Sequence, residues 1–379
     1  MTRMVSRRTF LLGASAAAGL AACSRGLRYA PADDAGRPTG ELRVLNWPQY
    51  IDEDEGATLG TVSRFTRETR TEVEYSDAYE GNEYGLTTLF EPKLAKGRSI
   101  GFDVVVPTYW VVARLLEQGL LNQIPLERVP NHVNVDPALL GMAWDRGARF
   151  HMPWQVGITG IAYNASLTGR EVRSFADLLD PALRGRVGMV KEMREVVGLF
   201  MLAAGADPSR ATVDTANEAL DRLEAVVNAG QVAKFTANEY VDALTSGEFA
   251  ACLAWSGDVV QLQKKRPDIK FVIPTEGGIR WFDSMVIPKG ATNVASAGDW
   301  MNFVYDPANA AKITASVQYI SPVVGVREEL QRAGGEPAKL ADNPILFPDD
   351  ATRRRLYFWA GTTTAEEAAL QARFDFITS

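Results

Sequence analysis

Along the chain, short apolar runs alternate with stretches in which apolar residues recur every three or four positions. Residues 42–45 form the first run and predict a buried strand. Helical spacing follows over 57–68, a strand over 72–75, a helix over 82–96, a strand over 103–106 and a helix over 109–118. A second series starts with the apolar run 157–163. It continues as a helix over 175–183, a strand over 186–190 and helices over 194–204 and 214–228. Residues 249–254 predict another strand, and 271–274 and 285–288 two shorter ones. This alternation predicts α/β architecture, with mainly parallel sheets covered by helices on both faces. Two series predict two lobes, and ligands of such sheets sit where the loops at the carboxyl ends of strands converge.

Composition narrows the chemistry. The chain has 379 residues, enough for two cores, and its 46% hydrophobic and 23% charged residues suit a globular body. A formal charge of -7 speaks against a nucleic-acid partner. The histidines are His132 and His151, and the cysteines Cys23 and Cys252. So few ligands at these spacings build neither a metal cluster nor a disulfide framework, and nothing points to a cofactor. Cys252 lies in a strand-like apolar run and reads as an inert buried thiol, and both histidines read as structural.

Residues 1–23 read as an address. Ser6-Arg7-Arg8-Thr9-Phe10-Leu11 resembles a twin-arginine export signal, and the apolar run after it is too short and too rich in Ala and Gly to span a bilayer. Leu20-Ala21-Ala22-Cys23 resembles a bacterial lipobox, in which the cysteine thiol takes a diacylglycerol; an ordinary cleaved leader with an incidental cysteine is the alternative. Residues 24–40, rich in Pro, Gly, Ala and Asp, predict a tether. Without the leader the net charge falls to about -10, because Arg3, Arg7 and Arg8 leave with it.

The predicted strand ends carry rings beside carboxylates. Trp47 and Tyr50 follow the first strand, and Thr108, Tyr109 and Trp110 the third. Glu192 and Glu195 follow 186–190, Trp255 and Asp258 follow 249–254, Trp281 and Asp283 precede Met285, and Tyr319 lies in a late loop. An aromatic face attracts an ammonium by about 0.5–2 kcal/mol, and a carboxylate adds a charge-assisted hydrogen bond. Rings also cover methylenes, at about 0.8 kcal/mol per buried CH₂, so the mixture suits an aliphatic polyamine. Each element has a plainer reading. A ring can be a core anchor, Glu192 and Glu195 can complement a helix dipole, Asp258 can be an N-cap, and Lys264-Lys265-Arg266 a solvated helix end.

Six collinear blocks resemble the periplasmic spermidine/putrescine-binding proteins of ABC transporters: VLNWPQYI, FDVVVPT, the REV segment, AWSGD, GGIRWFDSMVIP and QYISP. The resemblance covers about residues 41–325. It implies a two-lobed type II periplasmic-binding-protein fold with a ligand cleft between the lobes. Lobe 1 would comprise 41–154 plus 282–327 and lobe 2 155–281 plus 328–379, with crossings near 153–157 and 280–283. It implies ligand contacts by Trp47, Tyr50, Thr108, Trp110, Glu192, Glu195, Trp255, Asp258, Trp281, Asp283 and Tyr319. Trp110 stands where the family has a tyrosine and Glu192 where close relatives have Asp, and the family's C-terminal glutamine has no clear counterpart near Trp359-Ala360. Trp281 and Asp283 match the pair that clamps an amine, and Asp283 is expected in open, wet surroundings before the ligand arrives.

The implied function is capture rather than catalysis. A monomeric, lipid-anchored protein outside the cytoplasm would bind a polyamine and pass it to ABC permease subunits. Another organic cation or an amino-acid-like solute is an alternative ligand. An exported hydrolase with paired carboxylates and a sensor subunit are the alternatives of other classes.

Overall fold

The structure is a computed structural model that describes residues 38–79 and 81–379. The export signal, Cys23 and residues 24–37 of the tether lie outside the described residues.

Three parallel strands, β1 (Glu41–Leu45), β2 (Glu72–Ser76) and β3 (Val104–Val105), form a small sheet in the order β2-β1-β3. Leu42, Val44 and Leu45 are buried, as a parallel strand covered on both faces requires. Helix α1 (Thr61–Thr69), the helical residues 82–94 and α2 (Tyr109–Glu117) follow the strands in alternation. A short antiparallel pair, β4 (Leu121–Asn122) with β11 (Ile287–Pro288), extends the same lobe.

The second sheet is mixed, whereas the alternating pattern predicts a mainly parallel one. Its backbone is β5 (Met152–Asn164), thirteen residues buried throughout. Around it lie β6 (Val187–Val190), β7 (Val232–Thr236), β8 (Ala251–Trp255), β9 (Ile269–Val272), β10 (Gly278–Met285) and β12 (Leu356–Tyr357). The order is β12-β10-β5-β8-β6-β7, with β9 also on β5. β5 runs antiparallel to β8, β9 and β10, while β6 is parallel to β7 and β8. Residues 277–283 read as a loop in the sequence, yet from Gly278 onward they are the first part of β10. Glycine, Arg280 and Asp283 interrupt the apolar run, and burial on both faces removes the alternation that marks a strand. β7 also escapes the sequence reading. Helices α3 (Met193–Ala203), α4 (Val213–Asn228) and α5 (Ser256–Gln263) connect and cover this sheet.

Two hydrophobic cores result, and β5 and β10 are shared between them. Met152, Trp154 and Val156 belong to the first core and Ile161, Ala162 and Tyr163 to the second; on β10, Ile279 belongs to the second, and Phe282 and Met285 to the first. Helix α6 (Val326–Ala333) places Val326 and Leu330 in the first core, and Ala341 follows them. The chain therefore rejoins the second core near Trp359, later than residue 328, and ends in α7 (Thr364–Ile377), whose Leu370 and Phe374 pack there.

Candidate ligand-binding site

The cavity where the two cores meet measures about 620 Å³. Ten of the eleven expected contact residues line it: Trp47, Tyr50, Thr108, Glu192, Glu195, Trp255, Asp258, Trp281, Asp283 and Tyr319. Trp110 does not. Its ring lies under the guanidinium of Arg194, 3.4 Å from ring centre to Cζ, so its face is already occupied by a cation of the protein itself.

Strand ends and helix starts deliver the acids. β6 ends at Val190, Glu192 directly precedes α3, and Glu195 sits in the first turn of that helix. Glu195 accepts hydrogen bonds from the Thr159 hydroxyl and from Trp255 Nε1, the latter at 2.8 Å. Glu192 accepts no hydrogen bond from the described side chains. Burial pushes both carboxyls up from their ordinary range, and for Glu192 the neighbouring Glu195 charge adds to the effect.

Asp283 is 3% exposed, which overturns the expectation of open, wet surroundings. It accepts hydrogen bonds from Thr108 Oγ1 at 2.6 Å and from the Tyr50 hydroxyl at 2.9 Å. Burial pushes its carboxyl up to about 7, against the partial opposition of those two donors. Asp258 is no N-cap, since α5 starts two residues earlier at Ser256. It accepts from the hydroxyls of Tyr240 and Tyr319, each at 2.6 Å, and from Asn238 Nδ2 at 3.0 Å. Burial raises its pKa as well, with the three donors opposing.

The rings are held as firmly. Trp47 Nε1 donates to the Val106 carbonyl at 2.8 Å, and Trp281 Nε1 to Thr159 Oγ1 at 3.0 Å. Tyr50 meets Tyr319 edge to face at 5.2 Å, Tyr319 lies 5.8 Å from Trp281, and Trp281 lies 6.3 Å from Trp255. Two glycines seat this array. A Cβ on Gly157 would fall 2.1 Å from the Trp281 ring, and one on Gly257 2.3 Å from the Tyr319 ring. The glycine of the AWSGD block is thus a ring seat.

Sequence reading passed over several lining residues, among them Asn82, Asn238, Asp242 and Gln261. Neutral amides such as Asn82, Asn238 and Gln261, and a lone exposed acid such as Asp242, carry no pattern that separates a cavity wall from an ordinary surface. Lys264 and Lys265 are exposed, as a solvated helix end requires, yet they also stand at the rim of the cavity. Among the described residues no group of three or more His, Cys, Asp or Glu side chains is placed to hold a metal ion.

Comparison with known proteins sets this geometry in a family. A family model described as bacterial extracellular solute-binding protein matches residues 61–348. The spermidine/putrescine-binding periplasmic protein 1 of Haemophilus influenzae is 26% identical over 337 residues, 88% of each chain. The spermidine/putrescine-binding periplasmic protein of Escherichia coli is 28% identical over 332 residues, covering 87% of this chain and 88% of its own. Among solved structures, the spermidine/putrescine ABC transporter substrate-binding protein of Streptococcus pneumoniae superposes with a TM-score of 0.73 at 24% identity. That match covers 89% of this chain and 99% of the other, and establishes a common two-lobed fold. With the family model matching most of its length, the chain belongs to the bacterial extracellular solute-binding proteins.

Proposed function

We propose that the cleft binds an aliphatic polyamine of the spermidine and putrescine class and that the protein hands it to an ABC importer. The observation that carries this reading is the interleaving, around one cavity, of the buried carboxylates Asp283 and Glu195 and the half-buried Glu192 and Asp258 with the rings of Trp47, Trp255, Trp281 and Tyr319. Carboxylates fixed by hydroxyl, amide and indole donors accept ammonium groups with little rearrangement, and the rings cover the methylenes between them. The names of the curated relatives agree with that chemistry. About 620 Å³ lies within the range of small-ligand sites.

In this reading the two lobes close on the ligand about β5 and β10, and the protein works as a monomer. Calorimetry tests the ligand class. Putrescine or spermidine gives a saturable heat, while sulfate, a sugar and a neutral amino acid give none; binding of an anion with no heat from either amine sinks the reading. For location, the proposal follows the leader: export by the twin-arginine route and a lipid on Cys23 that holds the protein at the outer face of the cell membrane. Cys23→Ser then frees the protein from membranes or blocks its processing, and equal membrane retention of variant and parent overturns the anchor.

A further inference from the structure

We propose that Arg194 is a latch between the lobes, which governs how long the closed cleft holds its ligand without touching that ligand. Arg194 lies between Glu192 and Glu195, yet it does not line the cavity as they do. Its side chain leaves the second core and reaches the first. The guanidinium stacks on the ring of Trp110, 3.4 Å from the ring centre, and Nη1 lies 3.9 Å from the Glu83 carboxylate, while no described residue hydrogen-bonds Nη1. Trp110 and the helical residues around Glu83 both pack in the first core. On its own side, Glu367 of α7 accepts from Arg194 Nη2 at 2.5 Å and from Nε at 3.2 Å and so aims the group. Arg194 is 6% exposed. A guanidinium this buried requires the Trp110 face, and that face lies on the other lobe. Opening the cleft takes the ring away and returns the cation to water.

Its neighbours sharpen the assignment. The hydrogen bond from Tyr319 to Asp258 also joins the lobes, but both residues line the cavity and would respond to the ligand directly. The contact from the Tyr109 hydroxyl to the Trp359 carbonyl sits beside β10, where Tyr109 stacks on Phe282 at 5.2 Å, close to the axis of any closure. Arg194 on Trp110 is a cross-lobe contact outside the cavity, one residue from Tyr109 on α2, and unlike the exposed bond from the Thr364 hydroxyl to Glu117 it is buried. Because Glu192 and Glu195 share its turn of helix, a ligand that fixes these acids also fixes the base of the latch.

The proposal rests on the cleft being one that closes on a polyamine, and its test separates the two ideas. Dissociation of putrescine and spermidine is followed by tryptophan fluorescence for the parent, Arg194→Met, Trp110→Leu and the double variant. The latch predicts an off-rate about tenfold faster in each single variant, an on-rate within about twofold of the parent, and a double variant no faster than either single one. Arg194→Lys, which keeps the charge and loses the planar face, lies between parent and Arg194→Met. Unchanged off-rates, or effects of the two substitutions that multiply, overturn the latch. If the parent binds neither amine, the polyamine reading fails alone. Small-angle scattering of the ligand-free proteins then decides the latch: a larger radius of gyration in Arg194→Met than in the parent supports it, and equal radii reject it. A substitution that lowers thermal stability is replaced by Arg194→Gln, judged by the same off-rate.

Discussion

The two walls of the cleft carry different chemistry. The first core contributes Trp47, Tyr50, Thr108 and Tyr319, which are rings and hydroxyls, and the single carboxylate of Asp283. The second contributes Glu192, Glu195 and Asp258 from the starts of α3 and α5. The first wall therefore donates hydrogen bonds, and it donates them to acids on both sides: Thr108 and Tyr50 to Asp283, and Tyr319 across the cleft to Asp258. Buried carboxylates need either donors, protons or cations nearby. Here neutral donors satisfy part of that need, and the raised pKa values show that they do not satisfy all of it. The remainder is what an ammonium ligand supplies.

The strongest way to break this contrast is to neutralise the first wall's one charge. Asp283→Asn keeps the shape and is expected to weaken polyamine binding by about 2–5 kcal/mol, or about 30-fold or more, because a desolvated ammonium loses its partner. Ligand-free thermal stability at pH 8 should be no lower than the parent's, since burial disfavours the ionised acid. Calorimetry and thermal melts read both numbers. Asp349→Asn serves as the control. Asp349 caps a short exposed helix by accepting from the Thr352 backbone N–H at 2.7 Å, and Asn caps equally well, so affinity should stay within about twofold. Affinity within twofold for Asp283→Asn would mean that Asp283 does not pair with the ammonium, and an unfolded variant would make its role structural.

Proton competition tests the same wall more gently. The Asp283 carboxyl sits near 7 in the folded chain and near 3.9 in an unfolded one, so between those values the folded state holds the extra proton. Its contribution to ligand-free stability thus falls as pH rises from about 4 to about 7. Ligand binding needs the ionised form and runs the other way. Affinity should drop about tenfold from pH 8 to pH 6 for one such carboxyl, more if Glu192 and Glu195 join it, and binding near pH 7 should release protons. Titrations in buffers of different ionisation heat detect that release. A pH-independent affinity would mean that the acids are not the ammonium partners.

The smallest expected effect concerns the seats of the rings. Gly157→Ala drives a methyl into Trp281, and the ring must move off β5. Overpacking of this kind costs about 1–3 kcal/mol of stability, and displacing the ring that covers the methylenes should weaken spermidine by about fivefold. Stability lost with affinity kept would make Trp281 a core anchor alone, the plainer reading that its indole hydrogen bond to Thr159 also allows.

The sequence by itself determined which residue types meet and in what order. Strands β1, β6 and β8 were legible because each is a short apolar run followed by a ring or an acid, and six lining residues, Trp47, Tyr50, Glu192, Glu195, Trp255 and Asp258, stand at those ends. The start of α3 follows from local pattern to within a residue, so Glu192 and Glu195 could be placed, whereas α5 begins two residues ahead of the Asp258 cap that the pattern suggested. Tertiary structure alone decided what each of those side chains faces. β10 became a strand because its partner β5 covers it, whatever Arg280 and Asp283 do to the apolar run. The return to the second core moved past Ala341 because α6 finds an apolar face on the first core. Trp110, two residues from the cavity-lining Thr108, turned to Arg194 instead of the ligand space. Asp283 became buried because Tyr50 and Thr108, far apart in sequence, donate to the same carboxylate. Periodicity records the faces of one element at a time; burial, hydrogen-bond partners and pKa arise between elements, where no local pattern reaches.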